Sequence, residues 1–415
     1  MSALLTWLFL AALAAATATR LWLARRQVRH VAAHRDAVPA SFAGSIPLES
    51  HRKAADYTVA KTRLGMIGVL LHAAVLLAFT LGGGLQLILD LWAPVFARGS
   101  LAHGTAALLT LAFVLAAINL PLGLYRIFVV EQRFGFNRIT PRLFVTDLAK
   151  QVAVALALGV PLILAVLWLM EKMGEYWWVY VWVVWNAFLL AVNMIAPTLI
   201  LPLFNKLTPI TEGEVSARVK ALLERCGFKA RGVYLMDGSK RSSHGNAFFA
   251  GFGAAKRIVL FDTLVERLAP PEVEAVLAHE LGHYRLHHIV KNLVLSAVLS
   301  FAGLWLLGQL IGEPWFFAGL GVATPGTAAA LALFLLVIPE FLFFLDPVAS
   351  RLSRKHEFEA DAYAIAHADR AELEQALVKL YRDNAATLTP DPLHSAFYDS
   401  HPPAAIRIAR LKEAT

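Results

Sequence analysis

Apolar residues fill this chain in long, nearly unbroken runs. A bilayer core is crossed by about 20 consecutive apolar residues in a helix. Seven runs reach that length: Leu4–Leu23, Leu64–Leu85, Gly104–Ile127, Val152–Met170, Trp177–Leu199, Val290–Ile311 and Ala328–Leu345. The second and third have room to run longer and tilt or project. Trp92, Trp177, Trp178 and Trp315 fall near predicted ends, where interfacial aromatics sit. Pro121, Pro161, Pro197, Pro202 and Pro339 interrupt apolar runs and predict kinks. Between the fifth and sixth runs the pattern changes. Glu212–Cys226 alternates as an amphipathic helix, while Gly232–Met236, Ala247–Phe252 and Arg257–Phe261 read as short strands. A helical stretch from Pro270 follows, with room to continue into span six. Residues 350–415 read as largely helical. The predicted organisation is a membrane region over 1–204, a soluble part over 205–288, two spans over 289–349 and a C-terminal helical part over 350–415.

Composition agrees with a membrane protein: 58% of the 415 residues are hydrophobic and 16% charged, against about 25% charged in an ordinary soluble domain. The net charge of +8 does not point to nucleic acid, because the cations gather beside apolar segments, as the positive-inside rule places them. The first loop carries Arg25, Arg26, Arg29, Arg35, Arg52, Lys53, Lys61 and Arg63; the third carries Arg133, Arg138, Arg142 and Lys150. The second holds only Arg98 and the fourth only Lys172, and Gly312–Thr327 has no Lys or Arg. This predicts the N-terminus outside, with the soluble part and the C-terminus in the cytoplasm. Ala16-Thr17-Ala18 resembles a signal-peptidase site, but the cations follow the first apolar run, which is the charge order of an uncleaved anchor. One cysteine, Cys226, allows neither an internal disulfide nor a multi-thiolate zinc site.

His279-Glu280-Leu281-Gly282-His283 carries the chemistry. On a helix, residues four apart share a face. His279 and His283 can therefore present two imidazole nitrogens to one Zn²⁺, and Glu280 can take a proton from metal-bound water. Pro271 suits a first helical turn, and the surrounding positions are apolar or small. Catalytic zinc takes three protein ligands and a water. Leu286 and Ile289 occupy the places where an extended motif needs glycine and histidine, so the third ligand lies elsewhere. Ser353–Asp361 supplies a candidate: Glu357 as a ligand, with Asp361 on the same face as an acceptor for the far nitrogen of a ligand histidine. The competing reading of that segment is a solvated, charged helix start. His287 and His288, just past the motif, read as interfacial. His356 competes with Glu357 as a ligand, and His244 reads as a loop-orienting residue. His72, His103 and Glu340 fall within or at the edge of spans, where ionisable groups are functional candidates or line a hydrophilic chamber.

The chain resembles the integral-membrane zinc endopeptidases of the CAAX prenyl protease 1 type. The resemblance rests on Glu131–Arg138, Pro202–Lys206, Gly238–Ala247, Arg257–Leu264, the motif at His279–His283, the Glu357–Asp361 segment and Ser400–Pro403. It implies an all-α membrane protein, with seven transmembrane helices around a large water-filled chamber. A small α+β zinc-metalloprotease part of the gluzincin type would sit at the cytosolic end. By the same resemblance His279, His283 and Glu357 would bind one Zn²⁺ per chain, with Glu280 as the base. Asp361 and Arg407 would support the ligands, His401 would stand near the reacting carbonyl, and Asn246 would hold substrate backbone. The implied reaction is metal-assisted hydrolysis of a peptide or protein substrate after the prenylated cysteine of a C-terminal CAAX sequence, at the lipid bilayer. Three alternatives stand beside it: a smaller quality-control protease of the HtpX type, a transporter with an incidental motif, and a scaffold holding zinc for structure.

Overall fold

The computed structural model describes residues 1–228, 232–250 and 257–413. The elements, in chain order, are α1 (Ser2–Ala33), α2 (Leu48–Phe79), α3 (Gly84–Trp92), α4 (Leu101–Tyr125), α5 (Pro141–Lys172), α6 (Trp177–Ile195), α7 (Leu201–Phe204), β1 (Leu207–Pro209) and α8 (Glu214–Arg225). Then come β2 (Val233–Met236), β3 (Ala247–Ala250), β4 (Arg257–Phe261), α9 (Asp262–Val265), α10 (Pro270–Arg285), α11 (His288–Leu310) and α12 (Pro314–Gly319). The chain ends in α13 (Thr327–Leu342), α14 (Asp346–His367), α15 (Arg370–Asp383), α16 (Pro392–Tyr398) and α17 (Ala404–Glu413).

Among the described residues seven helical stretches are long and apolar enough to cross a membrane, one for each apolar run. Neighbours in chain order touch in a closed circuit, and α13 also packs against α4 and α5. α1 lies along α2, α2 meets the extension of α4, α4 lies along α5, α5 along α6, α6 along α11, α11 touches α13, and α13 returns to α1. In six of the seven the most apolar stretch is at most 17% buried, so these helices meet one another along narrow seams and leave most of their apolar surface uncovered by protein. One apolar cluster closes one end, uniting Phe9, Leu76, Leu111, Leu167, Leu307 and Leu333. A second cluster, at the opposite end, holds α8, the sheet, α10, α15 and α17 together. The loops poor in cations lie at the first end and those rich in cations at the second.

Several helices run beyond the apolar stretch read from the sequence, α1 to Ala33 and α5 from Pro141, and two breaks fall where the sequence reads as continuous. Span two ends at Phe79, not Leu85. Gly83 has φ 76°, and a side chain at Gly82 or Gly84 would begin 2.8 Å from the Ala78 carbonyl oxygen, so the chain reverses there and α3 starts anew. The motif helix does not continue into span six. α10 ends at Arg285, His287 adopts a left-handed φ of 59°, and α11 begins at His288. Prolines mark local widening of two spans: Pro121 precedes a π-helical turn at Arg126–Glu131, and Pro197 lies inside another at Ala196–Ile200.

The sheet order is β1-β2-β4-β3, with β2 parallel to β4 and the other pairs antiparallel. β1 was not foreseen. The predicted strand at Ala247–Phe252 is observed over Ala247–Ala250, and its last two positions lie outside the described residues. β3 pairs only with β4, which leaves its other edge open among the described residues.

Candidate metal centre

The local sequence makes α10 a helix suited to full burial. Two prolines occupy its first turn, and the Glu272 carboxylate accepts from the Ala269 backbone amide. Val273, Ala275, Leu277, Ala278 and Leu281 are buried; a Leu such as Leu277 gains about 1.5–3 kcal/mol from full burial. α10 packs along α14, and the closest approach is at Gly282. That approach brings Glu357, Asp361, His279 and His283 together, although the two segments are separated by two membrane spans.

Two imidazole nitrogens and the carboxylate of Glu357 converge, and these three groups form a triangle. His279 Nε2 lies 3.2 Å from His283 Nε2 and 3.5 Å from Glu357 Oε2, and His283 Nε2 lies 3.3 Å from Glu357 Oε1. Ligands at about 2.0–2.1 Å from a tetrahedral ion stand roughly 3.3 Å apart, so this triangle fits zinc. The donor chemistry fits as well. Glu357 is buried, and its Oε2 has no hydrogen-bond partner, although His401 Nδ1 approaches it to 2.7 Å out of bonding alignment. Two imidazole nitrogens and one carboxylate form a donor set of the kind that holds catalytic zinc, and a cation between them would complete the bonding of this buried oxygen.

The far side of His279 is held firmly. Its Nδ1 lies 2.8 Å from Asp361 Oδ1. Arg407, buried on α17, donates to both Asp361 oxygens at 2.7 Å. Burial and the Arg407 charge push the His279 imidazole down, but the Asp361 and Glu357 carboxylates outweigh them and its pKa rises above the ordinary histidine value. Burial, foremost, raises the Glu280 carboxyl, while the imidazoles of His279, His283 and His401 oppose the shift.

A cavity of about 160 Å³ gathers the remaining residues: Asn246, His279, Glu280, His401 and Arg407 all line it. Asn246 is exposed just before β3, and His401 sits in the loop between α16 and α17. Behind the cavity the segment after β2 is tied to the membrane ring. Arg241 pairs with Asp147 of α5 at 2.7 Å and accepts, through its backbone oxygen, from the Arg138 amide; Ser243 N donates to the Phe136 carbonyl. His244 stacks on Phe136 and lies 3.3 Å from Asn384 Oδ1, away from the triangle.

The histidines past the motif divide. His287 is exposed at the helix break. His288, read from the sequence as interfacial, is 2% exposed and faces inward: its Nδ1 lies 3.0 Å from His283 Nδ1. The helix break turns it there, because on a continuous helix of 3.6 residues per turn positions five apart do not share a face. His356 stacks against His288 and is not a member of the triangle. In the ring, Glu340 is fully buried between Arg20 at 2.7 Å and His72 at 2.8 Å, and His103 binds the Leu89 carbonyl oxygen at 2.8 Å.

Residues 27–206 match a family model described as CAAX prenyl protease N-terminal, five membrane helices, and residues 209–415 match peptidase family M48. The CAAX prenyl protease 1 homolog of Arabidopsis thaliana is 31% identical over 378 residues, 89% of each chain. The CAAX prenyl protease 1 of Saccharomyces cerevisiae is 36% identical over 311 residues, covering 71% of this chain and 68% of that one. The crystal structure of S. mikatae Ste24p superposes with a TM-score of 0.92 at 30% identity, covering 98% of this chain and 99% of the other. A five-helix membrane region fused to an M48 peptidase region favours this family over the smaller protease and the transporter. The chain therefore belongs to peptidase family M48, as a multi-pass integral-membrane zinc metalloprotease of the CAAX prenyl protease 1 type.

Proposed function

We propose that His279, His283 and Glu357 hold one Zn²⁺ per chain and that Glu280 is the general base for peptide hydrolysis. The observation that carries this is the convergence of both imidazole Nε2 atoms, 3.2 Å apart, on the Glu357 carboxylate, whose two oxygens lie 3.5 and 3.3 Å from them, with Glu280 lining the adjoining cavity. When bound, zinc supplies Lewis acidity that acidifies water and polarises a carbonyl. Glu280 takes the proton of the attacking water and passes it to the leaving amine. Asp361, held by Arg407, keeps the His279 proton on Nδ1 and so leaves Nε2 free to ligate. His401, exposed at the cavity, donates to the oxyanion that develops on the substrate carbonyl. The open edge of β3 accepts extended substrate as an added strand, with Asn246 at its start holding the peptide backbone.

The substrate we infer is a C-terminal CAAX-type peptide carrying an isoprenoid. Relatives named CAAX prenyl proteases support this. So does a second cavity of about 610 Å³, which Phe248 and Phe249 of β3 line together with Phe144, Leu148, Ile200 and Leu201; the Asp147–Arg241 pair and Asn193 add polar groups to its wall. The cation-rich end of the ring, which carries the site, would face the cytoplasm. The functional division falls near residues 204, 288 and 349, so that the ligands come from two stretches and the spans between them set their geometry. The test is cleavage of matched farnesylated and unmodified peptides by the purified protein, with and without a zinc chelator. Preferential, chelator-sensitive cleavage of the farnesylated peptide is expected; equal cleavage of both would rule out prenyl selectivity.

A further inference from the structure

We propose that His288 and Glu359 position the zinc ligand His283 through a two-step hydrogen-bond relay. The inference rests on the reading of His283 as a ligand through Nε2. His283 Nδ1 and His288 Nδ1 are 3.0 Å apart, and His288 Nε2 is 2.9 Å from Glu359 Oε2. Proton accounting fixes the direction. An ionised carboxylate only accepts, so His288 carries its proton on Nε2 and keeps a lone pair on Nδ1. His283 must then carry its proton on Nδ1, which leaves its Nε2 lone pair facing the other two donors. Lys291 and Lys355 lie 3.8 and 3.7 Å from Glu359 and favour its charged form. Both ligand histidines are thus oriented from behind by a carboxylate: His279 directly by Asp361, and His283 by Glu359 through an intervening imidazole.

The same atoms invite a second reading. His288, His356 and Glu359 bring three donors within 4.8 Å of one another, close enough to hold another cation. Two features favour the relay. The His288 and His356 rings stack at 4.1 Å and 12°, so their in-plane lone pairs run side by side and do not converge. A cation on His288 Nε2 would also move that proton to Nδ1, where it would face the N–H of His283.

The experiment is chelator-competition titration of zinc on the purified full-length protein, with metal content measured in parallel. His288→Phe should weaken zinc binding about 10- to 100-fold, as loss of a partner behind a metal ligand does. Glu359→Ala, at a partly exposed side chain, should weaken it in the same direction, and Glu359→Gln should recover most of the loss because its amide oxygen still accepts. The double variant should bind no worse than His288→Phe alone, a non-additivity that two independent packing defects would not show. His356→Phe should change neither affinity nor content. Wild-type zinc affinity in both His288→Phe and Glu359→Ala would overturn the relay. Two ions per chain, falling to one in His356→Phe, would replace it with a second metal site. Retention of zinc by His279→Ala at full affinity would remove the ligand assignment itself, and the relay with it.

Discussion

A side chain at Gly282 would begin 3.0 Å from the Cα of Ala360. At that distance α10 and α14 are nearly backbone to backbone, and the contact lies between the two histidines and the glutamate that form the donor triangle. Gly282→Ala should push the helices apart by a few tenths of an ångström and strain the 3.3 Å spacing between His283 and Glu357. Weaker zinc retention on dialysis against chelator, with circular dichroism unchanged, is the expected result. Zinc retention equal to the unmodified protein would show that the helix approach is not what sets the ligand geometry.

Glu340 is fully buried and joins three spans, with Arg20 of α1 on one oxygen and His72 of α2 on the other. It lies on α13, which runs on into α14 and Glu357. Glu340→Leu leaves Arg20, which is partly exposed and stacked on Phe343, without its carboxylate partner, a loss smaller than the roughly 3–5 kcal/mol typical of a fully buried pair. A clear fall in the thermal unfolding midpoint in detergent is expected. Arg20→Met combined with Glu340→Leu removes both charges and should recover most of the loss; additive destabilisation in the double variant would mean the pair is not coupled.

Activity should fall on the acid side through Glu280. A base works ionised, and burial raises the Glu280 pKa, so protonation begins at higher pH than for an exposed carboxylate. The acid limb of kcat/KM should therefore lie above the ordinary glutamate value of about 4.3. Metal content followed along the same pH series separates this limb from loss of zinc. A rate that stays level down to that value while zinc is retained would argue against Glu280 as the base.

Much of this was legible in the sequence because bilayers and helices impose simple periods. Seven apolar runs gave seven spans, and the spacing of His279 and His283 placed both on one helix face. What was not legible depends on tertiary approach. Nothing in the local pattern shows that Glu357 lies beside His279 and His283 and not on a solvated helix start; the contact of α10 with α14 at Gly282 brings it there. His288 looked interfacial because hydropathy cannot show a left-handed residue at His287 turning it back onto His283. β1 escaped because Leu207–Pro209 is too short to show alternation and takes its strand geometry from β2. The end of span two was misplaced because Gly82–Gly84 continue the apolar run while breaking the helix.

The central claim is that a zinc site assembled from α10 and α14 hydrolyses peptides with Glu280 as its base. Glu280→Gln is the sharpest test, because the change keeps size and shape but removes the base and replaces none of the three proposed ligands. Zinc content and peptide cleavage would be measured on the same purified sample. One zinc per chain, as in the unmodified protein, is expected, with a rate lower by about 10²- to 10⁴-fold, the usual contribution of general acid–base catalysis. Cleavage at the unmodified rate with zinc still bound would contradict it.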